Sequence, residues 1–516
     1  MSTAKNFIEL CYWCRVGDTE NVDRLVSTGV DLNGVDEFDN TPLFLASLCG
    51  HEDLVNLLLQ RGAVCDRDRY EGARCVYGAL TDTIRNILLR YDISKAVDVK
   101  QPFATHISLQ LQDSTNTPFD IFFSFNGQPL LKAHRFLLAS RSAYFANKLN
   151  GPWAGKQIIH MPHERFKAAF EIILKYIYLI PTLHDIYPED YKILKAICLK
   201  LQLADFYDSL NELCKTRDSS ERAHLMAESQ FLFTEHARIQ MKNFVKAIVS
   251  QKREYKEAPN GIKSVEGDIT CCSSFPDVLI SLSDEANQKT LIYPSHRSIL
   301  MRADYFRIMF HSNFSESTHY SQHRNLYAGD NVELPVLKFP SKNDDVACVI
   351  LNYLYYDETE VPSRVAMDVL TAADALCLDR LKTMAAVSIT QSSSLLRLTT
   401  PFDILSAGWD TRSERLEHYA AKVIARDLVH YGKHPKLKEA ILESSARIKS
   451  RQETDTIELV DDIRYYLLRK YEIDIDDVHD LEAEGFSETL MRPELVRYSS
   501  DIQLLDSILK ELNLEA

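Results

Sequence analysis

Three groupings of residues in this chain have types and spacings that suit chemistry. The first is an aspartate and a histidine, Asp120 and His134, which return later as Asp277 and His296. A carboxylate that orients an imidazole is the arrangement of a general base. A nucleophile should then recur at a matching position in both copies, and none does. Asp favours turns and helix starts for backbone reasons, and a repeated histidine suits a buried hydrogen-bond network. We therefore expect structural roles here and no enzyme. The second grouping is CYWC at Cys11 to Cys14, half of a zinc site by spacing. No second pair is placed to complete it, so core packing is expected. The third is Asp474, Asp476 and Asp477, which suggest a calcium loop. An EF-hand needs Gly at the sixth position and Glu at the twelfth, where His479 and Gly485 stand, so a solvated acidic face is expected. No P-loop, dinucleotide fingerprint or metal-binding helix motif is present, and no cofactor is expected.

The elements that must position these residues belong to a long chain. Its 516 residues have room for three or four domains, and 45% hydrophobic with 26% charged residues is a globular composition. A formal charge of −15 disfavours nucleic acid and anionic membrane as main partners, because both bind through clustered Lys and Arg. No apolar run reaches the roughly 18 residues of a membrane span, and MSTAKNFIEL lacks the basic start and apolar core of a secretory signal. Eleven cysteines without framework spacing suit reduced thiols. The chain is expected in the cytoplasm, or in cytoplasm and nucleus both.

Comparing the chain with itself reveals a repeat near the start at an offset of 33 residues: Gly17 falls on Gly50, Val22 on Val55, Leu25 on Leu58 and Gly29 on Gly62. In DNTPLFLASLCGHEDLVNLLLQRGA, Pro42 suits a first helical turn and Gly50 a helix end, while Leu54, Leu57 and Leu58 form an apolar face. With TPLFLA at Thr41 to Ala46, this stretch resembles the ankyrin repeat, although Phe44 stands where that family has His. A worn third unit, EGARCVYGAL and TDTIRNILL, leaves two to three repeats, and about three are needed to bury their own faces. The sequence allows either a free partner-binding surface or a stack that rests on the next domain.

The second internal likeness is longer. AHRFLLASRSAYF (133–145) returns as SHRSILMRADYF (295–306), so that Arg141 matches Arg302 and Tyr144-Phe145 matches Tyr305-Phe306. Each copy reads as a strand, a turn (Asn126-Gly127 in the first), a returning strand and a helix beginning near the histidine. IIHMP (158–162) then pairs with VLKFP (336–340), the tyrosine-ended ILKYIYL with ILNYLYY, and ILKAICLKLQL with VLTAADALCLDRL. These residues, in this order, resemble the BTB (POZ) domain. The whole arrangement resembles the ankyrin-repeat and BTB-domain protein family with its tandem BTB modules. The resemblance implies small α+β domains that associate with other proteins and catalyse nothing. Two copies in one chain allow either intramolecular pairing through an apolar helical face or a homodimer.

The copies differ after the Tyr-Phe helix. In the BTB family a hydrophobic residue, any residue and then Glu contribute near this point to docking a cullin scaffold. The second copy has Phe314, Ser315 and Glu316 where the first has Trp153, Ala154 and Gly155. An aromatic anchor in a partner pocket is worth about 2 kcal/mol or more, and a rim carboxylate adds encounter rate and specificity. The resemblance thus assigns cullin docking to Phe314 and Glu316, with Met309 and Phe310 on the preceding helix. The implied protein is a substrate-recruiting adaptor of a cullin-RING ubiquitin ligase, with an unidentified protein as its cargo. A cytoplasmic scaffold with no ligase connection is the alternative.

Between the copies, Phe231, Phe233, Ile239, Phe244 and Ile248 imply a packed helical insert that orients the modules. Beyond them, PFDILSAGWDTRSERLEHYAAKVIARDL resembles the helical BACK region, with Leu405, Trp409, Leu416, Tyr419 and Val423 at packing intervals. Ile457, Val460, Ile463, Tyr466 and Leu467 suit one more amphipathic helix. The expected fold is α+β, mainly helical. Ankyrin repeats occupy 1–98, a linker 99–117, the first BTB domain 118–210, a partly helical linker 211–268, the second BTB domain 269–385, and a BACK-like helical region with an acidic end 386–516.

Overall fold

The computed structural model describes residues 2–90, 103–112, 119–255, 264–265, 273–311, 334–447, 456–473 and 493–514, less short stretches at 28–29, 31, 62, 64, 66–69, 126–129, 162–165, 184–185, 188, 217–218, 285–288, 358 and 393–398. The chain forms two compact units, Met1–Val361 with Ala372–Met384, and Pro362–Thr371 with Ala385–Ala516. Among the described residues no helix is long and apolar enough to cross a membrane.

The first unit begins with three helix pairs: α1 (Ser2–Val16) and α2 (Thr19–Ser27), α3 (Pro42–Cys49) and α4 (Glu52–Arg61), α5 (Tyr70–Tyr77) and α6 (Asp82–Arg90). The worn third unit is therefore a complete pair. Thr41 starts α3 by accepting the Phe44 N–H at 3.1 Å, with Pro42 in the first turn. Gly17 and Gly50, one repeat apart, end their helices at φ 85° and 84°, a conformation that disfavours any side chain. A Cβ on Gly17 would meet the His51 ring, and one on Gly50 would lie 2.6 Å from Leu80 Cδ2, so the helix corners stack directly. Cys11 and Cys14 lie in this core among Leu10, Val22, Leu43 and Leu58. Burial pushes the Cys11 thiol up to about 11 and raises Cys14 further, as expected for packed thiols. A buried ion pair, Arg61 Nε to Asp23 Oδ1 at 2.6 Å, ties α4 to α2.

Residues 99–117, expected as linker, contain the helix α7 (Phe103–Gln112). Both α2 and α4 pack on it, with Thr105 Oγ1 donating to the Val26 carbonyl at 3.3 Å. The outer face of the repeats is thus partly consumed. The first module follows: β1 (Ile121–Phe125), β2 (Leu131–Ala133), α8 (Arg135–Arg141), α9 (Ala143–Leu149), β3 (Ile158–Met161), α10 (Lys167–Ile177), α11 (Tyr191–Leu201) and α12 (Ala204–Lys215). Its sheet order is β2-β1-β3, with Phe122 opposite Lys132 in the antiparallel pair and Ile158 in the parallel one. Ile121, Phe123 and Phe125 alternate inward, and Phe123 meets Phe170 at 4.8 Å. The turn expected at Asn126-Gly127 lies outside the described residues.

A 32-residue helix, α13 (Ser219–Ser250), leads to the second module. There β4 (Arg253–Tyr255), β5 (Ser264–Val265), β6 (Val278–Asp284), β7 (Lys289–Ser295), α14 (Arg297–Leu300), α15 (Asp304–His311), β8 (Leu334–Lys338), α16 (Asp344–Tyr356), α17 (Ala366–Ala375) and α18 (Asp379–Gln391) follow. The order β7-β6-β8 repeats the first sheet, with β4 and β5 added at its edges. Those two edge strands come from residues that read as helix end and loop, because two or three residues carry no alternation to detect.

The two modules pair within the chain. Phe136 of α8 stacks on His296 at 4.3 Å and 26°, and Phe244 of α13 lies 5.8 Å from the same ring. Helix α7, which leads into the first module, sends His106 and Gln110 to the Ser298 carbonyl of the second, at 2.6 and 3.1 Å. Helix α13 serves both modules. Its Phe233 meets Tyr176 of the first edge-on at 4.8 Å, its Gln240 accepts from Arg141 of the first, and Lys252, two residues past its end, pairs with Asp344 of the second. Phe233 and Ile248 are buried and Phe244 half-buried, as the periodicity requires. Ile239 is a correction: it faces solvent, because two different neighbours, not one continuous floor, set which face of α13 is covered. The side chain of Phe231 lies outside the described residues.

The second unit is helical: α19 (Pro401–Thr411), α20 (Glu414–Arg426), α21 (Leu428–Tyr431), α22 (Pro435–Arg447), α23 (Glu458–Tyr471) and α24 (Pro493–Glu511). Thr400 and Asp403 form a reciprocal cap at the start of α19. Gly408 lets α19 approach α20 closely, since a Cβ there would lie 3.2 Å from the Glu417 nitrogen. Leu405, Trp409, Leu416, Ile457, Val460, Ile463 and Leu467 are buried as expected. Tyr419 and Val423 are only half-buried; Ala420, Ala421 and Ile424 face the core instead. Asp474, Asp476 and Asp477 lie outside the described residues.

Because the pairing face is used internally, the chain should run as a monomer in light scattering at micromolar concentration. Phe136→Ala should cost about 3 kcal/mol in urea denaturation, the scale for deleting a buried aromatic ring. A stable dimer, or an unchanged midpoint in the variant, would contradict the pairing.

Candidate protein-interaction site

The duplicated ionisable residues hold the modules from inside. Asp120 accepts the Arg135 N–H at 2.8 Å, and Asp277 accepts the Arg297 N–H at 2.7 Å. Each aspartate therefore satisfies an orphan donor of the helix that starts after its strand pair. The following residue in the scheme is a buried histidine at each helix start. Nδ1 of His134 lies 2.8 Å from the Tyr178 hydroxyl, and Nδ1 of His296 lies 2.7 Å from that of Tyr355. His296 Nε2 faces the Ser274 carbonyl at 2.7 Å, so it carries the proton and Nδ1 accepts from the tyrosine. The tyrosine partners were visible in sequence as paired helix endings, yet nothing in a linear reading joined them to the histidines. Burial, reinforced by His296, pulls His134 down to about 3, and burial lowers His296. His106 is also pulled to about 3, by burial and by nearby Arg302. Burial raises both tyrosines well above the phenol range.

Arg141 and Arg302 complete the correspondence, lying 5.1 and 5.7 Å over the rings of Tyr176 and Tyr353. Their surroundings differ. Arg302 donates to Asp357 at 3.0 Å and to the end of α16 through the Leu354 carbonyl at 2.6 Å. Asp357 also receives Arg380 at 2.6 Å and lies 4.0 Å from Arg238 of α13. Burial alone would raise the Asp357 carboxyl, but Arg380, Arg302 and Arg238 outweigh it and hold it below the usual range. The first module has no aspartate at this place, and Gln240 of α13 accepts from Arg141 instead.

The outer face of the Tyr-Phe helix is where the copies part. In the first module Trp153 folds back on Phe123, Tyr144 and Phe145 at 6.0 to 6.3 Å. Aligning Tyr144-Phe145 with Tyr305-Phe306 sets Asn147 and Lys148 of α9 against Ile308 and Met309 of α15. Tyr305 and Ile308 are 43% and 62% exposed, an apolar pair one helical turn apart. Met309 and Phe310, expected to bind a partner, are half-buried. The Phe310 ring lies 6.4 Å from Phe306 and 6.0 Å from the Arg297 guanidinium, so it supports the helix more than it faces outward. Phe314 and Glu316 lie outside the described residues. Tyr305 is legible in the sequence only as the match of Tyr144, and Ile308 is not among the expected partner-binding residues, although its i,i+3 spacing from Tyr305 was available. Among the described residues no group of three or more His, Cys, Asp or Glu is placed to hold a metal.

A helical repeat stack set on two paired α+β modules, with buried rather than open ionisable groups, defines a class of protein-interaction chains. Residues 10–59 match the family of ankyrin repeats in many copies, and residues 109–218 and 268–393 each match the BTB/POZ domain. The chain is similar to ankyrin repeat-containing protein YIL001W of Saccharomyces cerevisiae, at 48% identity over 511 residues, covering 99% of this chain and 98% of that one. It is also similar to BTB/POZ domain-containing protein 3 of Schizosaccharomyces pombe, at 37% identity over 527 residues, covering 100% of this chain and 91% of that one. The chain belongs to the ankyrin-repeat and BTB/POZ domain-containing protein family, whose domains are typically interaction domains without enzymatic activity.

Two outcomes follow for stability. Asp357→Asn should cost about 3–5 kcal/mol in urea denaturation, since it leaves buried guanidiniums without their carboxylate. The depressed histidines act in the acid range. They stay neutral in the folded chain while the unfolded chain takes up protons below about 6.5, so stability is complete above that pH and falls as pH drops toward 3. At pH 5 His106 and His134 should each have cost roughly 2 kcal/mol, and His134→Gln should flatten the slope of stability against pH. An unchanged slope would contradict a buried neutral His134.

Proposed function

We propose that this chain is an adaptor that docks a cullin-type ubiquitin ligase scaffold on its second BTB module and delivers a captured protein to it in the cytoplasm. The observation that carries this reading is the asymmetry between aligned helices: Asn147 and Lys148 in one copy, Ile308 and Met309 in the other, with Ile308 exposed. An apolar helix face with an aromatic neighbour is suited to a helical partner, and Phe314 and Glu316 follow that helix in the sequence. The adaptor performs no covalent step of its own. Its contribution is positional, raising the effective concentration of the captured protein near the ligase. The aspartates and histidines that could suggest catalysis are engaged in holding helix starts and tyrosines.

Co-purification of a cullin with the full chain tests the reading. Ile308→Asp should weaken capture about thirtyfold, the equivalent of an anchor worth about 2 kcal/mol. Phe314→Ala with Glu316→Arg should do the same, while Asn147→Asp in the first module should leave it unchanged. If the wild-type chain captures no cullin, the ligase reading gives way to a scaffold without ligase.

A further inference from the structure

The helix corners of the repeat stack carry a surface that the adaptor reading does not yet use. Val16, Leu48, Tyr77 and Leu80 are 52%, 45%, 85% and 64% exposed. Val16 and Tyr77 each stand directly before the glycine that closes an inner helix, Gly17 and Gly78, and Leu48 stands two residues before Gly50. The corners are in register, because His51 covers Gly17 and Leu80 covers Gly50, with the Leu80 N–H on the Ser47 carbonyl at 3.1 Å. The four apolar side chains therefore form a ridge across three repeats, away from α7, which takes the outer helices α2 and α4. Exposed apolar side chains grouped along one edge mark interaction surfaces more than scattered ones do, and tyrosine is enriched among binding anchors.

Charge indicates the partner. The next turn of chain after each corner begins an outer helix, and there Glu52, Asp53 and Asp82 are exposed. Arg85 is already turned to Asp82 at 2.8 Å. The arginines of the inner helices are engaged with the loop before α3, including Arg15, which stands one repeat before Leu48. Arg15 pairs with Asp36 at 2.7 Å, while Arg74 lies over Phe44 and donates to the Asp39 carbonyl and Asn40. The ridge is thus apolar with an acidic border.

We propose that this ridge is the capture surface of the adaptor and that it takes a basic amphipathic segment of the delivered protein, with apolar side chains on the ridge and Lys or Arg on its acidic border. The proposal rests on the adaptor reading for what the segment belongs to, and on the ridge alone for its chemistry.

The test uses the full chain and two labelled peptides about 18 residues long at amphipathic spacing, one of Leu and Lys, the other of Leu and Glu, read by fluorescence anisotropy. The Leu/Lys peptide should bind about tenfold or more tightly than its acidic counterpart. Tyr77→Ser with Leu80→Ser should remove most of that binding. Val16→Ser with Leu48→Ser, on other repeats, should do the same, and thermal unfolding checks that both variants fold. Glu52→Lys with Asp53→Lys should shift preference toward the Leu/Glu peptide. Equal binding of the two peptides, or binding unchanged by both serine pairs, would overturn the proposal. So would self-association of the wild type that these pairs abolish, which would give the ridge to a second copy of the chain. Cullin co-purification in the same variants separates the two readings: retained cullin with lost peptide binding is expected here, and lost cullin docking in the Ile308 variant leaves the ridge result standing.

Discussion

One helix, α13, is shared by two modules that it joins, and the rest of the first unit depends on where it sits. Burial of its apolar side chains, Phe233 on Tyr176 and Phe244 on Phe136, is non-directional and alone would permit other registers. Its polar contacts would not. Arg238 lies by the buried Asp357 of the second module, and Gln240 meets the buried Arg141 of the first. A slip would strand charged groups in a medium that penalises them heavily, so these contacts select a single register even where their net stabilisation is small. Hydrophobic burial supplies the strength of the pairing, and the buried charges supply its uniqueness.

The duplication shows which parts of a domain are held by physics and which are free to change. Aspartate, histidine and tyrosine keep the same partners in both copies because each satisfies a buried backbone or hydroxyl group. The outward positions Asn147 of α9 and Ile308 of α15 face water instead. One copy could therefore acquire Asn147, Lys148 and an inward Trp153 while the other acquired Ile308 and Met309. An internal pair of unlike modules is also asymmetric in a way that two identical chains are not: it offers one face of each kind.

Much of this was legible in the residues. The spacing of Gly17 and Gly50 located the helix corners, since a left-handed φ is costly for any other residue, and the apolar periods of α20 and α23 located their helices. The reading was poorer where contacts from distant segments decide the outcome. Ile239 has the periodicity of a buried residue but no neighbour to cover it. Helix α7 sits in a stretch that reads as linker because its buried residues include Thr105, His106, Ser108 and Gln110, whose polar groups find partners as distant in sequence as Val26, Ser298 and Leu179. The strands β4 and β5 exist because the edges of a sheet accept them.

By itself the amino-acid sequence determined that ankyrin repeats precede two BTB modules, because these follow from local periodicities, turn residues and internal likeness. Tertiary structure alone decided that the two copies join each other, that His134 and His296 find Tyr178 and Tyr355, and which apolar side chains are left facing water. Those outcomes depend on contacts between segments far apart in the chain, where burial and hydrogen bonding are settled only once both surfaces have met.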